Sequence, residues 1–121
     1  MSMNDIKGLS LACNWTFGIA PVQPEEARLL GLLERIGRTG SIASAAREAG
    51  ISYRNAWGML ARWEANFGHP LLIPALGLDT RLTPFAIRLL DLDAQIREML
   101  APQLAAAAEQ MARGLAEAAT P

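Results

Sequence analysis

Between Leu9 and Gly18 the odd positions are Leu9, Leu11, Cys13, Trp15 and Phe17, and the even ones are Ser10, Ala12, Asn14, Thr16 and Gly18. An apolar residue at every second position predicts a half-buried strand. Pro21 and Pro24 end it, and Met1 to Gly8 ahead of it are expected to be flexible. The period then changes. Leu29, Leu30, Leu33 and Ile36 recur at helical spacing and predict a first helix from Pro24 or Glu25 to a stop at Gly40. Glu25 and Glu26 suit its positive end and Arg38 its negative end. Ser41 is placed to cap a second helix with Ile42, Ala45, Ala46 and Ala49 on its inner face, and Gly50 suits the left-handed turn that closes it. Ser52 caps a third, from Tyr53 to about Phe67, with an apolar stripe of Ala56, Leu60, Trp63 and Phe67.

After Gly68 and Pro70 the pattern shortens. Leu71 to Ile73 is a brief apolar run, Pro74 through Asp79 reads as a turn, and Thr80 to Thr83 as a returning strand, together a small β-hairpin. Thr83 caps and Pro84 opens a last helix, with a seam of Phe85, Leu89, Ile96 and Leu100 and with Leu92 or Asp93 completing the spacing. Pro102 is expected to kink or break that helix. Leu104, Ala108, Met111 and Leu115 would then line one face of a fifth helix in an alanine-rich tail. The fold class is mostly α with a small β-hairpin.

Composition narrows what such a fold can do. The 121 residues fit one ordinary domain, and 51% of them are hydrophobic, enough for one core. Cys13 is the one cysteine, so no internal disulfide forms and a reducing compartment fits; its alternation with apolar residues marks a buried thiol, not a nucleophile. No stretch approaches the roughly 20 apolar residues of a membrane span, and no basic start precedes an apolar signal core. A cytoplasmic protein is expected. There is no glycine-rich phosphate loop, no ligand-spaced Cys/His cluster and no nucleophile–base pair, so neither an enzyme nor a metal or other cofactor is expected. His69 is the only histidine, a surface loop residue without a cysteine partner nearby. Asp91 and Asp93 stand two apart on a helix and do not face each other.

The informative segment runs from Ser41 to Gly68: a short helix, a glycine turn and a second helix. In a helix-turn-helix the first helix crosses the DNA backbone and the second reads base edges with its N-terminal residues. Ala45, Ala46 and Ala49 let the two helices approach, and Ile51 plugs the corner. Tyr53, Arg54, Asn55, Trp57 and Gly58 lie off the core stripe of the third helix. Arg54 can donate two hydrogen bonds to a guanine, Asn55 can pair with an adenine edge or a phosphate, and the Tyr53 hydroxyl can reach either a base or a phosphate. Trp57 is expected chiefly to cover the edge of the core while remaining within reach of DNA; Trp63 and Phe67 are expected inside. Ser41, Ser44 and Ser52 are hydroxyl donors near helix N-termini, where a phosphate is favoured. Arg47, Arg62 and Arg81 can add backbone contacts. Against this stand a net charge of −1 and the fact that such a helix pair also serves as a plain corner in helical proteins.

The run SIASAAREAG followed by ISYRNAW (Ser41 to Trp57) resembles the N-terminal DNA-binding domain of molybdate-dependent regulators of the ModE type, and more loosely that of LysR-type regulators. RTGSI at Arg38 to Ile42 and LTP at Leu82 to Pro84 are similar to both groups. Ser52, Tyr53 and Arg54 with Trp57 favour the molybdate branch, and the resemblance covers roughly Leu9 to Leu100. It implies a winged helix-turn-helix whose wing is the hairpin Leu71 to Thr83. It also implies a homodimer on a pseudo-palindromic operator of double-stranded DNA, with the third helix in the major groove. Seam and resemblance together assign 1–83 to the DNA-binding domain and 84–121 to dimerisation helices and tail. Phe85, Leu89, Leu92, Ile96 and Leu100 would then form the interface.

Two departures qualify the likeness. The family wing is often basic with a glycine-rich tip, whereas here LLIPALGLDTRLT has only Arg81 positive, with Asp79 nearby. Regulators of this type also carry an oxyanion-binding module after the DNA-binding domain, and this chain stops before one. It is expected to be either a fragment or a short regulator, and molybdate or another oxyanion is a partner only if such a module exists. The greasy wing and the negative charge also support an alternative, a winged-helix protein-interaction module. Arg54 and Arg47 tied up in ion pairs would favour that alternative, and free ones would favour DNA.

Overall fold

The computed structural model describes residues 25–73 and 79–120. The expected strand over Leu9 to Phe17 and the hairpin tip at 74–78 lie outside the described residues. The described chain runs α1 (Glu25–Thr39), α2 (Ile42–Ala49), α3 (Tyr53–Phe67), β1 (Leu72–Ile73), β2 (Arg81–Leu82) and α4 (Pro84–Ala118). It falls into two compact units, 25–93 and 94–120.

In the first unit the helix ends obey local rules. Ser41 Oγ accepts the Ser44 N–H at 3.1 Å and Ser52 Oγ accepts the Asn55 N–H at 3.0 Å, so α2 and α3 each begin with a side-chain cap. Gly50 closes α2 at φ 73°, a left-handed conformation that strains any residue with a Cβ. The Ile51 N–H then bonds the Ala46 carbonyl at 3.0 Å, which fixes the tight corner into α3.

The core forms where the apolar stripes meet. Leu29, Leu33 and Ile36 of α1 are buried as expected, with Leu32 beside them. They pack with Ile42, Ala45 and Ala46 of α2 and with Ala56, Met59, Leu60 and Trp63 of α3. Removing a large aliphatic side chain from such a cluster costs about 2–5 kcal/mol. Phe67 is only partly buried, and its ring lies 5.5 Å from Trp63 and 5.6 Å from Phe85.

The hairpin is shorter than its sequence promised. β1 and β2 pair antiparallel with Leu72 opposite Leu82 and Ile73 opposite Arg81. It is tied down at both sides. The Thr80 N–H bonds the Gly40 carbonyl at 2.9 Å, and the Thr83 N–H bonds the Leu71 carbonyl at 3.0 Å. Thr83 Oγ1 also accepts the Ala86 N–H at 3.2 Å, capping α4 as expected. Leu71 and Ala86 are fully buried, and Phe85, Leu89 and Leu90 pack against the same core, so the first turns of α4 belong to the helix-turn-helix unit.

The expected break at Pro102 and the separate fifth helix do not occur: α4 is one helix of 35 residues with Pro102 inside it. Proline there removes one N–H donor and crowds the carbonyl one turn back, at Glu98. Both residues are exposed, so water can serve that carbonyl, and the flanking alanines are strong helix formers.

Candidate nucleic-acid interface

The caps at Ser41 and Ser52 leave each serine O–H free to donate after its oxygen has accepted a backbone N–H. Two helix N-termini, with their unpaired N–H groups, therefore open toward solvent beside hydroxyl donors. Ser44 sits half-buried one turn into α2, and Arg47 follows on the exposed side of that helix.

The first turns of α3 carry the expected reading residues. Tyr53, Arg54, Asn55, Trp57 and Gly58 are all exposed, while Ala56, Met59 and Leu60 are buried. That division follows from helical geometry, which sends the core stripe and these positions to opposite sides. Among the described residues neither Arg54 nor Arg47 has an ion-pair partner. The arginines that are paired stand elsewhere. Arg38 at the end of α1 binds Glu48 on α2, and Arg62 on α3 binds Glu25 at the start of α1. Arg62, expected to reach a DNA backbone, is thus engaged in joining α3 to α1. Arg81 is exposed on β2 without an ion-pair partner among the described residues.

Trp57 departs from its expected role of covering the core. It is 46% exposed, and its ring meets that of Tyr53 edge-on with centroids 6.2 Å apart. Both rings border a hollow of about 630 Å³ between α3, the start of α2 and β1. Ala43, Ala61, Ile73 and Thr80 also line it, none of them among the sequence candidates. Only the apolar character of the Leu71 to Ile73 run hinted at one of these walls.

Of the residues expected at a dimer seam, Phe85 and Leu89 pack on the core of their own unit, and Leu100 is half-buried. Leu92 and Ile96 are exposed, as is Met99 at 73%. His69 is exposed in the loop after α3, and its ring stacks on Phe85 at 4.7 Å. Among the described residues no cluster of His, Cys, Asp and Glu could hold a metal ion, and no helix is long and apolar enough to cross a membrane.

Residues 27–86 match the family described as bacterial regulatory helix-turn-helix protein, lysR family. The chain is similar to the molybdenum transport protein ModE of Herbaspirillum seropedicae, at 43% identity over 70 residues that cover 54% of this chain and 26% of that protein. It is also similar to the molybdenum-pterin-binding protein MopA of Rhodobacter capsulatus, at 48% identity over 46 residues, 38% of this chain and 17% of that protein. Both matches thus span a minor part of the relative's length. Among solved structures, ArgP from Mycobacterium tuberculosis superposes with a TM-score of 0.51 at 24% identity, over 64% of this chain and 29% of that one. OxyR of Corynebacterium glutamicum in its oxidized form gives 0.52 at 20%, over 73% and 28%. At that level of identity the likeness concerns the fold, a winged helix-turn-helix.

Proposed function

We propose that this chain, whose residues 27–86 form the winged helix-turn-helix of LysR-type and ModE-type transcriptional regulators, reads a pseudo-palindromic operator with α3 as one half of a homodimer. The observation that carries this reading is Arg54: exposed in the first turn of a capped helix, with no ion-pair partner among the described residues. A guanidinium left unpaired there is available for the two acceptors of a guanine edge. Asn55 and Tyr53 beside it supply further base or phosphate contacts. Ser41, Ser44, Ser52 and Arg47 hold the backbone, with the two helix N-termini favouring the anion. The same observation weighs against a protein-binding module, for which paired Arg54 and Arg47 would be expected.

The homodimer is supported by Leu92, Ile96 and Met99, which follow one another on α4 at the spacing of a helix–helix seam and stand exposed. Phe85 and Leu89 stand at the same spacing earlier on α4, where they pack on the core of the first unit. Sedimentation at rising concentration should give a dimer, and a monomer at high concentration would remove this part of the proposal.

The experiment for the whole is selection of bound sequences from a random duplex pool, followed by titration at two salt concentrations. A palindromic site, bound more weakly at higher salt, is the expected result. Enrichment of no sequence would sink the DNA reading.

A further inference from the structure

The exposed side of α3 carries two chemistries in succession. Arg54 and Asn55, in the first turn, can hydrogen-bond base edges. Next along the helix come Trp57, Gly58 and Ala61, whose only polar side-chain group is the indole N–H. Trp57 is 46% exposed and Tyr53, one turn before it, is 54% exposed. Their rings meet at an interplanar angle of 81°, an edge-to-face contact that is favourable in itself and holds the indole in place. Contact with the indole therefore costs little further rotamer freedom.

The hollow beside these rings is mostly apolar, with the hydroxyl residues Ser41, Tyr53 and Thr80 also on its lining. Among the described residues Glu64 is the one charged residue lining it, and Glu64 Oε2 is already engaged by the Leu71 N–H at 2.7 Å. Among the described residues no cation lines it, and between Trp57, Ala61, Leu72 and Ile73 an apolar group would be shielded from water. In the major groove the base edges present one apolar group, the C5 methyl of thymine.

We infer that Trp57, held by Tyr53, is a specificity-determining residue for a thymine methyl group in the bound sequence. The inference rests on α3 being the helix that enters the groove. Gly58 fits the same approach. It is exposed, a Cβ built on it would meet nothing within 4 Å, and glycine weakens a helix interior relative to alanine. No packing inside the described chain calls for glycine here, and its bare backbone lets a base pair come close beside the indole.

The test uses the full chain and the sequence recovered by selection. Each thymine is replaced in turn by deoxyuridine, which lacks only the methyl group. At one thymine of each half-site, binding should weaken about fourfold, the worth of one methyl group removed from water. Trp57→Ala should bind more weakly overall and no longer distinguish thymine from deoxyuridine at that position, while Trp57→Phe should keep part of the distinction. Trp57 lies outside the core, and the deoxyuridine scan of the unaltered chain needs no variant at all. Equal binding at every substituted position, or a thymine preference that survives Trp57→Ala, overturns the inference and leaves the reading of α3 intact. Failure to recover any bound sequence overturns both.

Discussion

The start of α3 and the wing flank the same hollow and are built in opposite ways. The start of α3 is held by a serine cap and a glycine corner and presents a cation, an amide and a phenol to solvent. The wing has strands of two residues, an exposed Ile73 and a single cation, Arg81. Attraction to a polyanion cannot come mainly from the wing, because only one charge there is of the right sign. In the reading proposed above it comes from the helix ends and from Arg47 and Arg54. With a net charge of −1, non-specific attraction over the rest of the surface is weak. A protein arranged this way should depend heavily on a few contacts and bind random DNA poorly.

The strongest way to break that comparison is Arg54→Ala. Loss of a bidentate base contact should cost about 1–3 kcal/mol of specific binding, roughly fivefold to 150-fold, and relax the preference at one base pair. A gel-shift titration against the selected site and against one-base variants reads both effects. Unchanged affinity would mean that the start of α3 is not the reading element.

Next in size is Ser52→Ala, which removes the cap while leaving the side chains of Tyr53, Arg54 and Asn55 in place. Thermal or urea unfolding should show a loss of about 1 kcal/mol in stability. Affinity should fall as well, because the same residues would then project from a frayed first turn. A large loss of affinity with unchanged stability would show that Ser52 serves DNA binding as a phosphate ligand and contributes little as a cap.

These residues were legible in the sequence because caps, glycine corners and apolar stripes obey rules that operate within a few positions. Ser41, Gly50, Ser52 and Thr83 all do what their neighbours in the chain dictate. What escaped depends on distance along the chain or on sums over a whole helix. Pro102 reads locally as a breaker, but the helix formers around it and its access to water outweigh one lost donor. Trp57 sits one residue past Ala56, at the edge of the stripe, where spacing alone does not decide which side wins. The hollow is assembled from α2, α3 and β1, and no segment of the sequence contains it.

Arg62 belongs to the same class, since its partner Glu25 lies 37 positions away and meets it only when α1 and α3 pack. Arg62→Ala should therefore lower stability by up to about 1 kcal/mol, the range for an ion pair this exposed, and leave DNA affinity unchanged. A double variant with Glu25→Gln that is no less stable than Arg62→Ala alone would locate the whole effect in the pair. A fall in affinity together with a shallower salt dependence would reassign Arg62 to a phosphate.

Arg81→Ala should have the smallest effect, and it is the one that tests the wing itself. Arg81 is exposed, stands opposite Ile73 in the hairpin, and has Asp79 two residues before it. An acidic group that close in the chain lowers the local potential a phosphate would feel. If the wing only borders the hollow, affinity should fall by no more than about threefold and the preferred sequence should be unchanged. The slope of log affinity against log salt should then drop by at most about 0.9, the share of one phosphate. A loss as large as that of Arg54→Ala would mean that the one wing cation reaches into the DNA. The contrast between a polar reading helix and an apolar wing would then describe the sequence of the two elements and not the way the domain divides its work.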